Sequence, residues 1–310
     1  MNFNLKSLIL EHLEEGEKIL VTGASGWLGR ETIQLLAETL GDKFANRVIL
    51  VGSIDRIIKV NKTDYSVIAI NSENLKGIKL GIILHLAFLS QDKVEQFGAK
   101  KYTEVNNEIT HSMLQMTLTS GARYVFVASS GAAAAHILEN QNHAGKKLYG
   151  ELKLNVENRF LALTSAQVLI GRIWSISGNQ IQEPLKYAIG DFIHQAVSTG
   201  KITLAGSSNS TRTYIDAKQM MTGYIFQLLT SRDFLLNSGG ETTDLHGLAN
   251  QVLHICKASG LLVLPELQDQ FPDHYVSPDN NMKEILNLCS VQLLSLDEQV
   301  ENTSHAIAFS

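Results

Sequence analysis

Short apolar runs alternate with amphipathic stretches along the first half of the chain, and they predict strands and helices in turn. Residues 19–21 are an apolar run, and residues 28–40 carry apolar side chains at helical spacing. A second run follows at 47–51. Further strands are predicted near 67–70, 82–87, 123–128 and 167–172, with helices near 99–120 and 148–163 between the later ones. Such alternation predicts an α/β fold, a doubly wound parallel sheet with ligands at the carboxyl ends of its strands. From about Trp174 the pattern changes to loops, short strands and small helices, through Phe309. The first residues alternate apolar and acidic side chains (Leu8, Ile9, Leu10, Glu11, Leu13, Glu14, Glu15). They read as a short amphipathic helix and not as a secretion signal.

Between the first predicted strand and helix, Gly23, Gly26 and Gly29 follow a G-x-x-G-x-x-G pattern. The first glycine permits a sharp turn, the second lets the backbone approach a pyrophosphate, and the third allows close strand–helix packing. The flanking strand, helix and second strand make this a dinucleotide-binding turn.

Tyr149 and Lys153 lie four residues apart in the predicted helix near 148–163. That spacing stacks a phenol and an ammonium on one helix face. A nearby ammonium favours phenolate, so the pair can exchange protons near neutral pH. By itself the spacing is common on solvated helices. Here it follows the glycine-rich turn and the Ser129-Ser130-Gly131 strand end in sequence order, which sets it apart from an isolated pair.

With these residues the chain resembles the short-chain dehydrogenase/reductase superfamily, in its extended branch of NAD-dependent nucleotide-sugar epimerases, dehydratases and reductases. The resemblance runs through almost the whole length. Residues 82–88 look like the fourth strand, whose end (Leu86, Ala87, Phe88) wraps the cofactor. Residues 105–110 resemble the Asn-x-x-x-Thr helix, 126–131 the fifth strand with its serine, and 171–178 the sixth strand, with Ile173 at the cofactor. Residues 201–217 are similar to the stretch that grips a substrate diphosphate, and 237–252 to the lead into the last helices.

The resemblance implies a Rossmann-type domain over residues 1–173 and a smaller C-terminal substrate lobe over 174–310. The two are expected to interleave, with a segment near 234–239 returning to the sheet. The implied chemistry is hydride transfer between C4 of a nucleotide-diphosphate sugar and a nicotinamide. Tyr149 would be the general acid/base at the sugar oxygen. Lys153 would lower its pKa and hold the nicotinamide ribose, and Ser130 would fix the same oxygen. Ser130 is preferred to Ser129 because the resemblance puts it at the family position at the end of the strand, and successive strand side chains point to opposite faces, so both cannot serve equally. Asn106 would tie the cofactor region to the lysine. Ser25, Trp27, Leu28 and the three glycines would line the cofactor turn. Arg212 would bind the diphosphate by its guanidinium fork, with Tyr187 and Phe192 near the nucleotide base and Ala205 beside them. Arg172 and His85 read as structural, and His136 and His143 as surface-loop residues near the sugar. The resemblance also implies a homodimer through the helices near 99–120 and 148–163. A non-catalytic nucleotide sensor on the same fold is the alternative.

Two departures narrow the reaction. Sugar 4,6-dehydratases carry an Asp-Glu pair after the serine, where this chain has Gly131, Ala132, Ala133 and Ala134. A 4,6-dehydratase is therefore not expected, and redox at one carbon remains: 4-epimerisation, or reduction of a 4-keto sugar. The second strand ends in Gly52 and Ser53, where NAD-dependent relatives place an acid on the ribose. Ser53, Arg56 and Arg30 could hold a 2′-phosphate instead, which tilts the expected cofactor from NAD toward NADP. A shift of one or two residues would put Asp55 on the ribose.

Composition constrains the rest. The chain has 310 residues, 44% hydrophobic and 18% charged, with a net charge of −5. That is ordinary for a globular protein and offers no basic field for nucleic acid or an anionic membrane. The longest apolar run, at 78–89, is too short for a bilayer. Cys256 and Cys289 lie far apart and no metal-ligand spacing surrounds them, so neither a disulfide framework nor a metal site is expected. The expected location is the cytoplasm.

Overall fold

The computed structural model describes residues 4–134, 137, 139, 143–204, 209–263 and 273–307. Asn4 caps the first helix, α1 (Leu5–Glu11), by accepting from the Ser7 N–H. Strand β1 (Lys18–Thr22) enters the glycine-rich turn, and α2 (Trp27–Leu40) leaves it. A single turn, α3 (Phe44–Arg47), leads to β2 (Val48–Gly52). Next come β3 (Arg56–Val60), β4 (Thr63–Ala69), β5 (Leu80–His85), α4 (Lys93–Ser120) and β6 (Tyr124–Ser130). The fold's first half closes with α5 (Ala144–Leu161) and β7 (Gln167–Ile173).

Strand β3 was not foreseen from the sequence. It forms an antiparallel hairpin with β4, turned at Asn61 in the left-handed region (φ 52°). Ile58 and Val60 are buried while Ile57 and Lys59 are exposed, the alternation of an edge strand covered on one face. Helix α4 is two helical pieces joined at Gly98, where φ is 73°.

The second half contributes β8 (Ser175–Ser177), α6 (Ala188–Thr199), β9 (Lys201–Leu204), β10 (Thr211–Asp216) and α7 (Ala217–Thr230). It continues through β11 (Leu235–Asn237), β12 (Glu241–Asp244), α8 (Leu245–Ile255), β13 (Gly260–Val263) and β14 (His274–Tyr275). Helices α9 (Asn281–Leu288) and α10 (Leu296–Ile307) complete it.

The main sheet has the order β11–β7–β6–β5–β1–β2–β4–β3, and every neighbouring pair except β3–β4 is parallel. The chain winds outward from β1 in both directions. The cleft between β1 and β5 is thus a topological switch point, where ligands of open α/β sheets bind. A smaller sheet places β10 beside β12, β14 and β8.

Strand periodicity divides the core. Ile19, Val21, Ile82, Leu84 and Phe126 face one side, against α2 and α7, while Leu20, Ile83, Val125 and Val127 face the other, against α4 and α5. Full burial of each such side chain is worth about 1.5–3 kcal/mol. Phe126 stacks on Tyr224 of α7 at 4.8 Å. A Cβ on Gly171 would stand 2.5 Å from the Phe126 ring, so only glycine lets these layers close. A third cluster, around Ile189, Ile193, Leu248 and Val252, is the core of the second half. Among the described residues no helix is long and apolar enough to cross a membrane.

Candidate active site and dinucleotide cleft

The glycine-rich turn is held by contacts that exclude larger residues. Gly23 has φ 67°, and a Cβ there would lie 2.9 Å from the backbone at Leu86 and Ala87. A Cβ on Gly29 would lie 2.2 Å from the Gly23 carbonyl, so this glycine packs the helix onto the strand. Gly26 differs, since a Cβ there would meet only the Gly23 carbonyl at 3.4 Å. It opens into a cavity of about 490 Å³ that Gly23, Ser25, Gly52, Ser53 and Arg56 also line. Leu86, Ala87 and Phe88 close the far wall. The Ser25 hydroxyl is buried at this cavity without a hydrogen-bond partner. An orphaned hydroxyl beside a bare backbone cradle at a helix N-terminus fits a dinucleotide pyrophosphate.

The wall formed by residues 86–88 is fixed by a buried relay. Thr22 Oγ1 accepts from the N–H groups of both Leu86 and Ala87, at 3.1 Å each. Its own hydrogen therefore goes to His85 Nδ1, 2.9 Å away. Burial, with the Lys153 charge nearby, pushes the His85 pKa down to about 3, so the ring is neutral. His85 thus does structural work at the strand end.

A second cavity, of about 570 Å³, adjoins the first and shares Leu86, Phe88 and Leu89 with it. Leu28, Ser130, Tyr149, Lys153, Ile173, Tyr187 and Arg212 line it. Strand pleating separates the two serines. Ser129 donates to the buried Glu157, while Ser130 turns into the cavity. Lys153 donates to the Ala128 carbonyl at 2.8 Å, and its ammonium lies 4.0 Å from the centroid of Phe88 and 5.9 Å from that of Tyr149. Burial lowers its pKa to about 7, and Glu157 one turn along pulls the other way. Glu157 is itself held by Arg172 through two bonds of 2.9 and 2.7 Å. Burial raises the Tyr149 pKa, Ser130 draws it partly back, and Tyr187 adds to the rise. The four-residue spacing predicted a phenol lowered by the Lys153 ammonium, whereas burial leads here and holds the Tyr149 pKa above its usual value. Phe88 lies against both groups instead, its ring 5.9 Å from that of Tyr149.

Other foreseen residues stand outside the two cavities. The Trp27 indole donates to Glu31 and meets the Tyr187 ring edge-on at 4.9 Å. Asn106 is buried and accepts from the Leu89 N–H at 2.9 Å, so it braces the loop after β5 without facing the cleft. Phe192, expected near the nucleotide base, is a core residue beside Ile189 and Ile193, because α6 turns its apolar face to α8 and α10. On the 2′-phosphate side, Arg30 already donates to the Ser25 and Lys59 carbonyls. Asp55 accepts from the Ala69 N–H and lines neither cavity. His143 caps α5 by accepting from the Lys146 N–H at 3.3 Å. His136 and Ala205 lie outside the described residues.

The sequence did not reveal four residues of the second cavity: Lys146, Lys186, Asp273 and Tyr275. Arg212 pairs with Asp273 at 3.0 Å, and Lys146 reaches the same carboxylate at 3.6 Å. Lys186 crosses to Asp92 at 2.9 Å. Tyr275 hydrogen-bonds Ser130 at 2.8 Å. The available signal was faint: a lone tyrosine beyond a polar stretch, far from Ser130 in sequence. Among the described residues no three His, Cys, Asp or Glu side chains gather as a metal site.

The model of the NAD dependent epimerase/dehydratase family matches residues 19–235, and the chain belongs to that family. No curated protein matches it by sequence. Among solved structures, it is similar to an epimerase of the methanogen Methanothermobacter thermautotrophicus, with 18% identity, a TM-score of 0.74, and coverage of 98% of this chain and 95% of that one. It is also similar to the UDP-glucuronic acid 4-epimerase of Bacillus cereus, solved with UDP-glucuronic acid and NAD, at 16% identity and a TM-score of 0.71, covering 94% and 99%. A third is the dTDP-glucose 4,6-dehydratase DesIV of Streptomyces venezuelae, solved with NAD bound, at 18% identity and a TM-score of 0.71, covering 94% and 97%. At these identities the structures share the fold.

Proposed function

We propose that the chain is a nicotinamide-dependent oxidoreductase acting at C4 of a nucleotide-diphosphate sugar, as a 4-epimerase or a 4-keto-sugar reductase. The observation that carries this reading is the convergence of Ser130, Tyr149, Lys153 and Arg212 on one cavity that joins the dinucleotide cleft through Phe88. Gly23, Ser25 and Gly26 would hold the pyrophosphate, and Lys153 the nicotinamide ribose. When bound, the nicotinamide supplies the acceptor and donor of hydride.

The chain's own residues handle the proton. Tyr149 takes it from the C4 hydroxyl as the alcohol becomes a ketone, and returns one when the ketone is reduced. Burial raises the phenol and by itself makes it a poor acid. A charged Lys153 brought closer by the ribose would bring it back. Ser130 fixes the reacting oxygen. Arg212 would exchange Asp273 for the substrate diphosphate, a bidentate partner of higher charge. The segment after Ser130 is a short 3₁₀ turn, Gly131–Ala133, with no titratable side chain, which supports redox at one carbon over elimination of water. The smaller lobe over 174–310 is the substrate side of this reading.

Ser53 and Arg56 line the ribose end, and burial, with the Arg56 charge adding, lowers the Arg30 pKa; two guanidinium groups so close support a cofactor that carries a 2′-phosphate. The alternative, a non-catalytic sensor, draws on one observation: the Phe88 ring occupies the Lys153 ammonium. Denaturing freshly purified protein and identifying the released dinucleotide by mass tests the reading. Near-stoichiometric NAD supports an epimerase that retains its cofactor. Empty protein that binds NADPH more tightly than NADH supports a reductase. Protein that binds neither sinks the proposal.

A further inference from the structure

Lys146 stands in the first turn of α5, at the positive end of the helix dipole, where an acid is stabilising and a lysine is not. That turn holds no acidic side chain to offset it. Helix stability therefore gives no reason for a lysine here. The side chain lines the second cavity instead, and its Nζ lies 3.6 Å from Asp273 Oδ2.

Asp273 Oδ2 also accepts from Arg212 Nη2 at 3.0 Å. Two cations from separate elements, α5 and β10, thus meet at one carboxylate oxygen. The backbone under that carboxylate is fixed. The Asp273 N–H donates to Ser210 Oγ, and its carbonyl accepts from the Thr211 N–H and from Arg212 Nη1. Its side chain is half-exposed and can turn outward without moving the strand.

Charge decides what this corner accepts. Arg212 and Asp273 cancel, and Lys186 is held by Asp92 and Glu183. Lys146 leaves the corner net positive, and bonds from a cation to a phosphate are roughly twice as strong as neutral ones. Helix geometry then gives the order of groups. Lys146, Tyr149 and Lys153 follow at i, i+3 and i+7, on one face of α5, and all three line the cavity. At about 1.5 Å per residue, Lys146 lies about 4.5 Å along the axis from Tyr149, on the side away from Lys153. In the proposed reaction Lys153 takes the nicotinamide ribose and Tyr149 the C4 oxygen. C1 of a pyranose lies across the ring from C4, so its phosphate reaches toward Lys146.

We infer that Lys146 binds the phosphate attached to C1 of the sugar, the β-phosphate of the nucleotide, together with Arg212, and that this phosphate takes the place of the Asp273 carboxylate. This deepens the function proposed above and rests on it. One helix then carries both the acid/base and an anchor of the substrate. A nucleoside diphosphate keeps the Lys146 contact and a monophosphate lacks it.

Calorimetry on the full chain tests this, with NAD and NADP both in excess so that the glycine-rich turn is taken. The probes are UDP and dTDP, each against its monophosphate. Lys146→Gln is expected to weaken the diphosphate that binds by about fivefold to tenfold, and to leave the monophosphate within about twofold. Equal losses for both, or no loss for either, overturn the inference. So does wild-type protein that binds neither diphosphate more tightly than its monophosphate. Asp273→Asn separates direct binding from mere neutralisation of Asp273. In that background Lys146→Gln still costs the diphosphate about fivefold, and a loss that vanishes there overturns the inference. Turnover of UDP- and dTDP-sugars reads the proposed function separately. No turnover by wild type, with the Lys146→Gln loss present, counts against the oxidoreductase and supports the Lys146 contact. Turnover with diphosphate affinity unmoved by Lys146→Gln keeps the function and overturns the contact.

Discussion

The Lys153 ammonium lies 4.0 Å from the centroid of the Phe88 ring, at the point where the two cavities meet. A buried cation over an aromatic face gains about 1–2 kcal/mol. A ribose that takes up Lys153 must displace the ring and lose that contact. Phe88→Ala is therefore expected to tighten NAD(H) or NADP(H) binding by roughly fivefold to tenfold, by titration calorimetry. Weaker binding would mean that the ring stacks on the cofactor and does not compete with it.

Glu157 holds the helix of Tyr149 and Lys153 to the sheet through Arg172 and Ser129. Removing one member of a buried pair strands the other, at about 3–5 kcal/mol. Glu157→Ala is expected to lower the denaturant midpoint by an amount in that range, and to lower the Lys153 pKa below about 7 by taking away its nearby negative charge. A stability change under about 1 kcal/mol would show that the Arg172 side chain reaches water instead.

Glu31 lies one turn into α2 and accepts from Trp27 Nε1 and from the Gln180 N–H across the junction with the second half of the chain. Burial, with the Asp216 charge adding, raises its pKa from 4.5 to about 8, against the pull of its two donors and Lys218. The folded protein thus holds a proton that the unfolded chain releases. The stability this contributes is whole below about pH 4.5 and is lost as pH rises through about 8, on the order of 4 kcal/mol in total. His85, depressed in the fold, works in the opposite sense below its usual pKa, so the difference between proteins is the clean readout. In urea unfolding at several pH values, Glu31→Gln is expected to gain on wild type steadily from pH 5 to pH 8. Parallel curves would contradict the buried-acid assignment.

How much of this was legible in sequence depended on range. The strand–turn–helix around Gly23, Gly26 and Gly29, and the Tyr149–Lys153 stripe, are local patterns that periodicity exposes. Phe192 was misplaced because an apolar residue on an amphipathic helix looks the same whether it faces a ligand or a core. Tyr275, Asp273 and the Glu31–Gln180 contact join segments more than a hundred residues apart or lie beyond any repeating pattern. Nothing in their local sequence marks them. Strand β3 carried its alternation openly, but Arg56–Val60 is a short run interrupted by the charges of Arg56 and Lys59 and does not stand out beside the apolar central strands.

Arg212 and Lys146 share the Asp273 carboxylate. A diphosphate must outcompete that carboxylate for the guanidinium. Arg212→Ala is expected to weaken UDP binding by tenfold or more, since bonds to a charged partner are worth about 1.5–3 kcal/mol. Asp273→Asn is expected to strengthen it. Calorimetry with UDP against UMP reads both, and equal affinity for the two nucleotides would remove the diphosphate from this corner.

In the proposed reaction Tyr149 moves the proton at the reacting sugar oxygen. Its most direct test compares wild type with Tyr149→Phe, loaded with the dinucleotide that the protein retains and supplied with UDP- and dTDP-sugars, following product and reduced cofactor. Wild type is expected to turn over, and Tyr149→Phe to lose about 10²–10⁴ of that activity with the fold intact. Turnover in the variant within about a factor of two of wild type would contradict it.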